Sequence, residues 1–146
     1  MLPSPTAFKA NEVIARTSSQ TYTIADMDDF IRNVGFPRGV PMRAHISNSS
    51  LLMSKAPGVP VFCFHGQKEK STIDEVVFGA GGFPDNPSHV ELGDGDGTVN
   101  AASLRLCGSF ADMQSERVEV KEHVGVDHNG VLTNSTVFEQ IAKLLK

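Results

Sequence analysis

Between Val59 and His65 the chain carries a nearly unbroken apolar run, Val59-Pro60-Val61-Phe62-Cys63-Phe64-His65, entered through Pro57-Gly58 and left through Gly66. A strand-sized segment that is apolar on both faces belongs in the middle of a sheet covered on both sides, which is the usual setting of a parallel strand. Parallel neighbours need crossover connections, and those are normally helices. The run therefore predicts a mixed α/β fold. It is too short to cross a bilayer, and no other apolar stretch approaches the roughly 18 residues that spanning requires.

The helices that such a strand needs are visible on both sides of it. Residues 24–34 predict the first, with Thr23 as N-cap and Asp26 completing a capping box. Asp26, Asp28 and Asp29 crowd its first turns, where the helix dipole favours negative charge. Met27, Phe30, Ile31 and Val34 form one apolar face, and Gly35 with Pro37 ends the helix. Residues 42–54 predict a second, weaker helix, because Ser47, Asn48, Ser49 and Ser50 suit a helix interior poorly. Upstream of both, residues 1–22 read as irregular, with a short strand around Val13 to Ala15.

Beyond Gly66, residues 67–71 read as a polar loop, and Thr72–Phe78 and His89–Leu92 as two short strands joined through Gly81 to Pro87. A helix over about 99–107 is expected next, then a half-buried strand from Arg117 to Glu122. His123 to Gly130 reads as a loop. A C-terminal helix over about 135–145 presents Val137, Phe138, Ile141, Leu144 and Leu145 on one face. Only two strands in this order look central, so the sheet is incomplete.

Composition narrows the function. Thirteen basic against seventeen acidic residues give a formal charge of −4, which argues against a nucleic-acid footprint. Tryptophan is absent and tyrosine occurs once, so stacking platforms for single strands are not expected either. The start, Met1-Leu2-Pro3-Ser4-Pro5, has neither the basic nor the long apolar segment of a signal peptide. At 146 residues, 40 % apolar and 21 % charged, the chain is an ordinary globular one with room for a single domain. Two cysteines, Cys63 and Cys107, leave free buried thiols and a disulfide both open, with free thiols the default. The sequons at Asn48 and Asn134 lean towards secretion.

The chemistry-bearing segment is Gly93-Asp94-Gly95-Asp96-Gly97-Thr98. Flanking glycines allow unusual backbone angles and expose the carboxylates. A tight turn that caps the next helix is one reading. A calcium loop beginning at Asp94 would need Gly and Glu where Val99 and Arg105 stand, so that reading fails. The third reading is a carboxylate that orients a distant histidine. Among His45, His65, His89, His123 and His128, the last stands out. It lies in the loop after the final strand and before the final helix, where the base of a nucleophile–acid–histidine order belongs. Asp127 is a poorer orienter, because adjacent side chains on an extended segment point apart. Cys107, His123 and His128 lack a fourth partner at a recognisable spacing, so no metal site is expected.

Taken together, Pro57 to Gly66, Gly93 to Val99, Cys107 and Gly125-Val126-Asp127-His128 resemble the C-terminal part of the lecithin:cholesterol acyltransferase family, whose relatives include lysosomal phospholipase A2. Leu2-Pro3-Ser4-Pro5 and Gly35-Phe36-Pro37 extend the resemblance nearly end to end, while Phe8 and Phe110 stand where the family often has Trp. The resemblance implies that residues 1–146 are the C-terminal portion of one α/β-hydrolase-type acyltransferase domain, about its last third. It implies Asp96 as triad acid, His128 as triad base, a Cys63–Cys107 disulfide and glycosylation at Asn48 and Asn134. No G-x-S-x-G is present, and Ser109 follows Asp96 in the wrong order, so the nucleophile is expected upstream.

The implied activity is transfer of a fatty acyl group from a phospholipid to a sterol, another lipid alcohol or water, without a cofactor. The implied partners are those lipids and a membrane or lipid-particle surface. The implied location is the lysosomal or vacuolar lumen, the outside of the cell, or a membrane surface. Residues 1–146 alone are expected to be inactive. The alternative is a non-catalytic lumenal module that binds lipid or the full-length enzyme.

Overall fold

The computed structural model describes residues 6–48 and 55–145. In chain order its elements are β1 (Val13–Arg16), β2 (Thr21–Thr23), α1 (Met27–Asn33), α2 (Gly39–Asn48), β3 (Val61–Val77), β4 (His89–Gly95), α3 (Ala101–Leu104), β5 (Val118–Val124) and α4 (Ser135–Leu144). Short 3-10 turns stand at Ile24–Asp26, Leu106–Asp112 and Gly130–Leu132. β3 pairs in parallel with both β1 and β5, β4 lies beside β3, and β1 pairs antiparallel with β2. The class is mixed α/β with a mostly parallel, open sheet, as the apolar run predicts. The chain divides into two compact units, Met1–Ser54 with Ile73–Leu92, and Lys55–Thr72 with Gly93–Lys146.

In the first unit β1 and β2 form a small hairpin with an irregularity between Val13 and Ala15. Reading residues 1–22 as irregular around one short strand misses β2, which is three residues long and carries only one buried side chain, Tyr22. The expected helix over 24–34 divides into the 3-10 turn and α1. Its predicted capping box is present, with the Asp26 carboxylate accepting from the Thr23 backbone N–H at 3.0 Å and from the Thr23 hydroxyl at 2.6 Å. Met27 and Ile31 are buried with Ile24, and Gly35 ends the helix at φ +83°. α2 begins earlier than expected, at Gly39, because Pro41 sits in its first turn, where no intrahelical donor is lost. Residues 49–54 of the expected helix lie outside the described residues. Phe83, in the connection after β3, stacks on Tyr22 at 5.9 Å and meets Phe78 edge-on at 5.1 Å. That connection thus supplies a core residue of this unit.

The second unit is built on the first half of β3. Val61 to Gln67 run parallel to Val118 to Val124 in unbroken register. Two sequence expectations are corrected here. Gly66 does not end the strand, and residues 67–71 are not a loop, since β3 continues to Val77. Gly66 is there for closeness: a Cβ on it would collide with the backbone carbonyl of Val126. The polar run stays in the strand because its neighbour β4 gives it a partner, and it bends at Lys70, whose φ is +44°. The expected helix over 99–107 becomes the single turn of α3 and the 3-10 segment after it.

Cys63 on β3 is joined to Cys107 in that 3-10 segment by a disulfide, which overturns free thiols as the default. The bridge closes a 44-residue separation. In the chain-entropy account such a loop stabilises by about 4 kcal/mol. α4 starts at an Asn134 N-cap whose side-chain oxygen accepts from the N–H groups of Thr136 and Val137 at 3.0 and 3.3 Å. Of its predicted apolar face only Val137 is buried, while Phe138, Leu144 and Leu145 are exposed. Val124 at the end of β5 is 84 % exposed.

Candidate active site

Asp96 and His128 are 32 residues apart in sequence and come into direct contact, Oδ2 to Nδ1 at 2.8 Å. Asp96 stands just past the end of β4, between Gly95 and Gly97. Gly97 has φ +91°, which a side chain would strain, and that angle folds the chain back over the carboxylate. Oδ1 then accepts from the N–H groups of Thr98 and Val99 at 3.0 and 2.8 Å, while the Asp96 N–H donates to the Val99 carbonyl at 3.1 Å. One carboxylate oxygen is thus spent on the turn, and the other is left to face the imidazole.

The Asp96 side chain is 3 % exposed, so its ionisation is a contest. Burial alone pushes the carboxyl up. The hydrogen bond to His128, those from Val99 and Thr98, and the charge of His128 together outweigh burial and leave the group below its ordinary value. An ionised carboxylate only accepts, so Nδ1–H is the donor of this bond, and in the neutral form of the ring Nε2 is the bare nitrogen. The His128 side chain is 47 % exposed, which leaves that second nitrogen within reach of a reactant. A second bond fixes the loop: the His128 N–H donates to the Asp96 carbonyl at 2.8 Å. An oriented imidazole with an ionised partner on one nitrogen and an open second nitrogen can take up and return a proton.

The neighbouring acids have other tasks. Asp94 accepts from the Lys70 N–H at 3.1 Å and so supports the bend in β3. Asp127 accepts from the Gly130 N–H at 2.7 Å and shapes the turn after the loop. The remaining histidines stand away from this arrangement in their contacts. His45 is exposed on α2, and His89 bonds Ser88 and Glu91. His65 is buried with Nδ1 at 3.0 Å from the Gly66 carbonyl. His123 stacks on Phe64 with ring centroids 6.0 Å apart. Ser109 donates its hydroxyl to the Leu106 carbonyl at 2.8 Å, a local turn bond. Among the described residues, no cluster of His, Cys, Asp and Glu is arranged to hold a metal.

Two residues of the site carried no functional reading in the sequence. Gly66 receives the histidine loop, and a glycine inside an apolar strand is the signal of such close approach. Thr72 accepts from the Gly97 N–H at 3.2 Å, and nothing in a lone strand threonine announces that role.

A plant protein provides the comparison that decides the kinship. The lecithin-cholesterol acyltransferase-like 1 protein of Arabidopsis thaliana is 34 % identical over 98 % of this chain and 32 % of its own length. The chain is a relative of the lecithin:cholesterol acyltransferases. The lysosomal phospholipase A and acyltransferase of Mus musculus is 30 % identical over 99 % of the chain and 34 % of its own length. The phosphatidylcholine-sterol acyltransferase of Gallus gallus is 32 % identical over 94 % of the chain and 33 % of its own length. The chain spans about a third of the length of these relatives. A scan against protein-family models finds no match.

Proposed function

We propose that residues 1–146 supply the acid and the base of a lipid O-acyltransferase or phospholipase A, whose serine nucleophile lies outside this stretch. The observation that carries the reading is the 2.8 Å bond between the Asp96 carboxylate and His128 Nδ1, made by a buried acid and a half-exposed base. In this mechanism His128 Nε2 removes the serine proton as the oxygen attacks the acyl ester of a phospholipid. Asp96 holds the ring in the correct tautomer and stabilises the imidazolium, then the proton passes to the leaving lysophospholipid. In the second half His128 deprotonates a sterol, another lipid alcohol or water as it attacks the acyl-serine ester; the acyl–serine bond breaks, and His128 returns the proton to the serine oxygen. No cofactor enters either half.

The relatives' lipid substrates and their whole-length coverage of this chain support this reading, as does the mostly parallel sheet, which suits an α/β-hydrolase domain. The lysosomal relatives favour a lumenal or secreted setting and a membrane or lipid-particle surface as the place of work. The Cys63–Cys107 disulfide fits such a setting. Among the described residues no helix is long and apolar enough to cross a membrane. Glycans at Asn134 and Asn48 belong to the same proposal. Asn134 caps α4 through its oxygen and keeps its amide nitrogen for a glycan. The Asn48 sequon continues into residues 49 and 50, outside the described residues.

The test is acyl transfer from labelled phosphatidylcholine by the longer protein that carries these residues. Asp96→Asn is expected to lower turnover on the order of 10⁴-fold, as loss of the orienting acid does in serine triads. Asp94→Asn is expected to leave turnover within a few-fold. Full activity in Asp96→Asn, or turnover by residues 1–146 alone that His128→Ala abolishes, would overturn the proposal. In the second case the non-catalytic alternative also falls.

A further inference from the structure

The acid and the base are both referenced to one strand, at neighbouring places along it. The histidine loop is seated on β3 at Gly66 and Gln67: the Gly125 N–H donates to the Gln67 carbonyl at 2.8 Å, and the Val126 carbonyl fills the space beside Gly66. The acid turn is fastened to β3 a few residues further on, by three bonds. The Lys70 N–H donates to Asp94 at 3.1 Å, the Ser71 hydroxyl shares its proton between the Gly95 carbonyl at 3.3 Å and the Lys68 carbonyl at 2.9 Å, and the Gly97 N–H donates to the Thr72 hydroxyl at 3.2 Å. Two of the three flank Asp96 directly. Thr72 is 5 % exposed, and Gly95 packs so closely on it that a Cβ there would collide with the Thr72 hydroxyl.

We infer that Thr72, seconded by Ser71, is the positioning residue that holds Asp96 at hydrogen-bonding distance from His128. The inference deepens the proposed acid–base reading and rests on it. The turn around Asp96 closes on itself through Val99, so its internal shape does not depend on Thr72. What Thr72 fixes is where that turn stands along β3, and therefore how far the carboxylate is from a loop anchored at Gly66 and Gln67. Asp94 and Asp127, the other acids beside the pair, are already engaged with Lys70 and Gly130 and do not replace Asp96. Without the Thr72 hydroxyl the Gly97 N–H loses its protein acceptor, and the turn, exposed at Gly97, is free to shift towards water.

The experiment is proton NMR of the His128 Nδ1–H in the chain of residues 1–146, with Asp96→Asn as the reference for a broken pair. Thr72→Val keeps the shape and removes the acceptor; the Nδ1 proton is expected to exchange with water about five-fold faster or more. Thr72→Ser restores the hydroxyl and is expected to restore the slow exchange, which a role in packing alone would not do. Ser71→Ala removes a partly accessible hydroxyl. It is expected to speed exchange with little change in melting temperature, and it serves as the deciding variant if Thr72→Val does not fold. A slow Nδ1–H that Asp96→Asn abolishes, but that both Thr72→Val and Ser71→Ala leave unchanged, would overturn this inference and keep the acid–base reading. No difference between the wild-type chain and Asp96→Asn would overturn both.

Discussion

The backbone carbonyl of Val126 occupies the place that a side chain on Gly66 would take. Strand and histidine loop are thus in backbone-to-backbone contact, two residues before His128. Gly66→Ala is expected to push that loop off β3 and to destabilise by about 1–3 kcal/mol, the usual cost of forcing a methyl into a filled place. Gly97→Ala meets no atoms within 4 Å, and only its positive φ resists, so a cost of about 1 kcal/mol is expected. Urea unfolding of the two variants checks the order. An equal or smaller loss for Gly66→Ala would show that the loop is not seated as described.

The covalent counterpart of that seating is the Cys63–Cys107 bridge, at the other end of the same paired segment. Non-reducing mass spectrometry is expected to show the chain two hydrogens lighter than its sequence mass, and resistant to thiol reagents after unfolding without reductant. The paired substitution Cys63→Ala with Cys107→Ala is expected to cost up to about 4 kcal/mol, since the open chain regains loop entropy. Quantitative labelling of both cysteines in the unreduced chain is the result that would remove the bridge from the account.

How much of this was legible in the sequence follows from where each cause lies. The Asp96 turn and the late His128 loop announce themselves because glycine spacing and position after the last strand are local signals. The capping box at Thr23 and Asp26 is local too, and it is present as read. β3 was not legible as one strand. Gln67 to Ser71 lack apolar alternation, and what keeps them extended is a neighbour, β4, some twenty residues away in sequence. β2 was too short to show a period. The apolar face of α4 is where sequence predicts it, yet Phe138 and Leu145 stay exposed, because periodicity says which residues share a face and not what covers them. Thr72 was invisible for a related reason: its role lies in accepting a bond from residue 97.

Acid stability should carry the signature of Asp96. Its folded value lies below the ordinary one, so the ionised carboxylate stabilises the folded chain. The sign follows from linkage: the contribution is fully present above the unfolded value of about 4, and it is lost as pH falls through the lower folded value. Asp26, lowered by the hydroxyl and then the backbone N–H of Thr23, and Glu119, lowered by Lys121 and then Arg117, add slopes of the same sign. Asp96→Asn is therefore expected to flatten the fall in melting temperature below about pH 4 without abolishing it. An unchanged acid slope would mean that Asp96 is not ionised and bonded in the folded chain.

The last prediction concerns the start of α4, where one side chain serves two purposes. The Asn134 oxygen satisfies the N–H groups of Thr136 and Val137, and Val137 is the buried anchor of the helix. Asn134→Ala is expected to cost about 1 kcal/mol, the usual loss of a good N-cap. Asn134→Asp keeps the acceptor, adds a charge that suits the helix dipole, and is expected to match or exceed the wild-type stability. Both substitutions destroy the sequon, so the pair separates capping from glycosylation. Produced in a glycosylating host, the two variants are expected to lose the same carbohydrate mass and to differ only in melting temperature. Equal melting temperatures would mean that the cap is not worth a measurable amount. Unchanged masses would remove Asn134 as a glycan site.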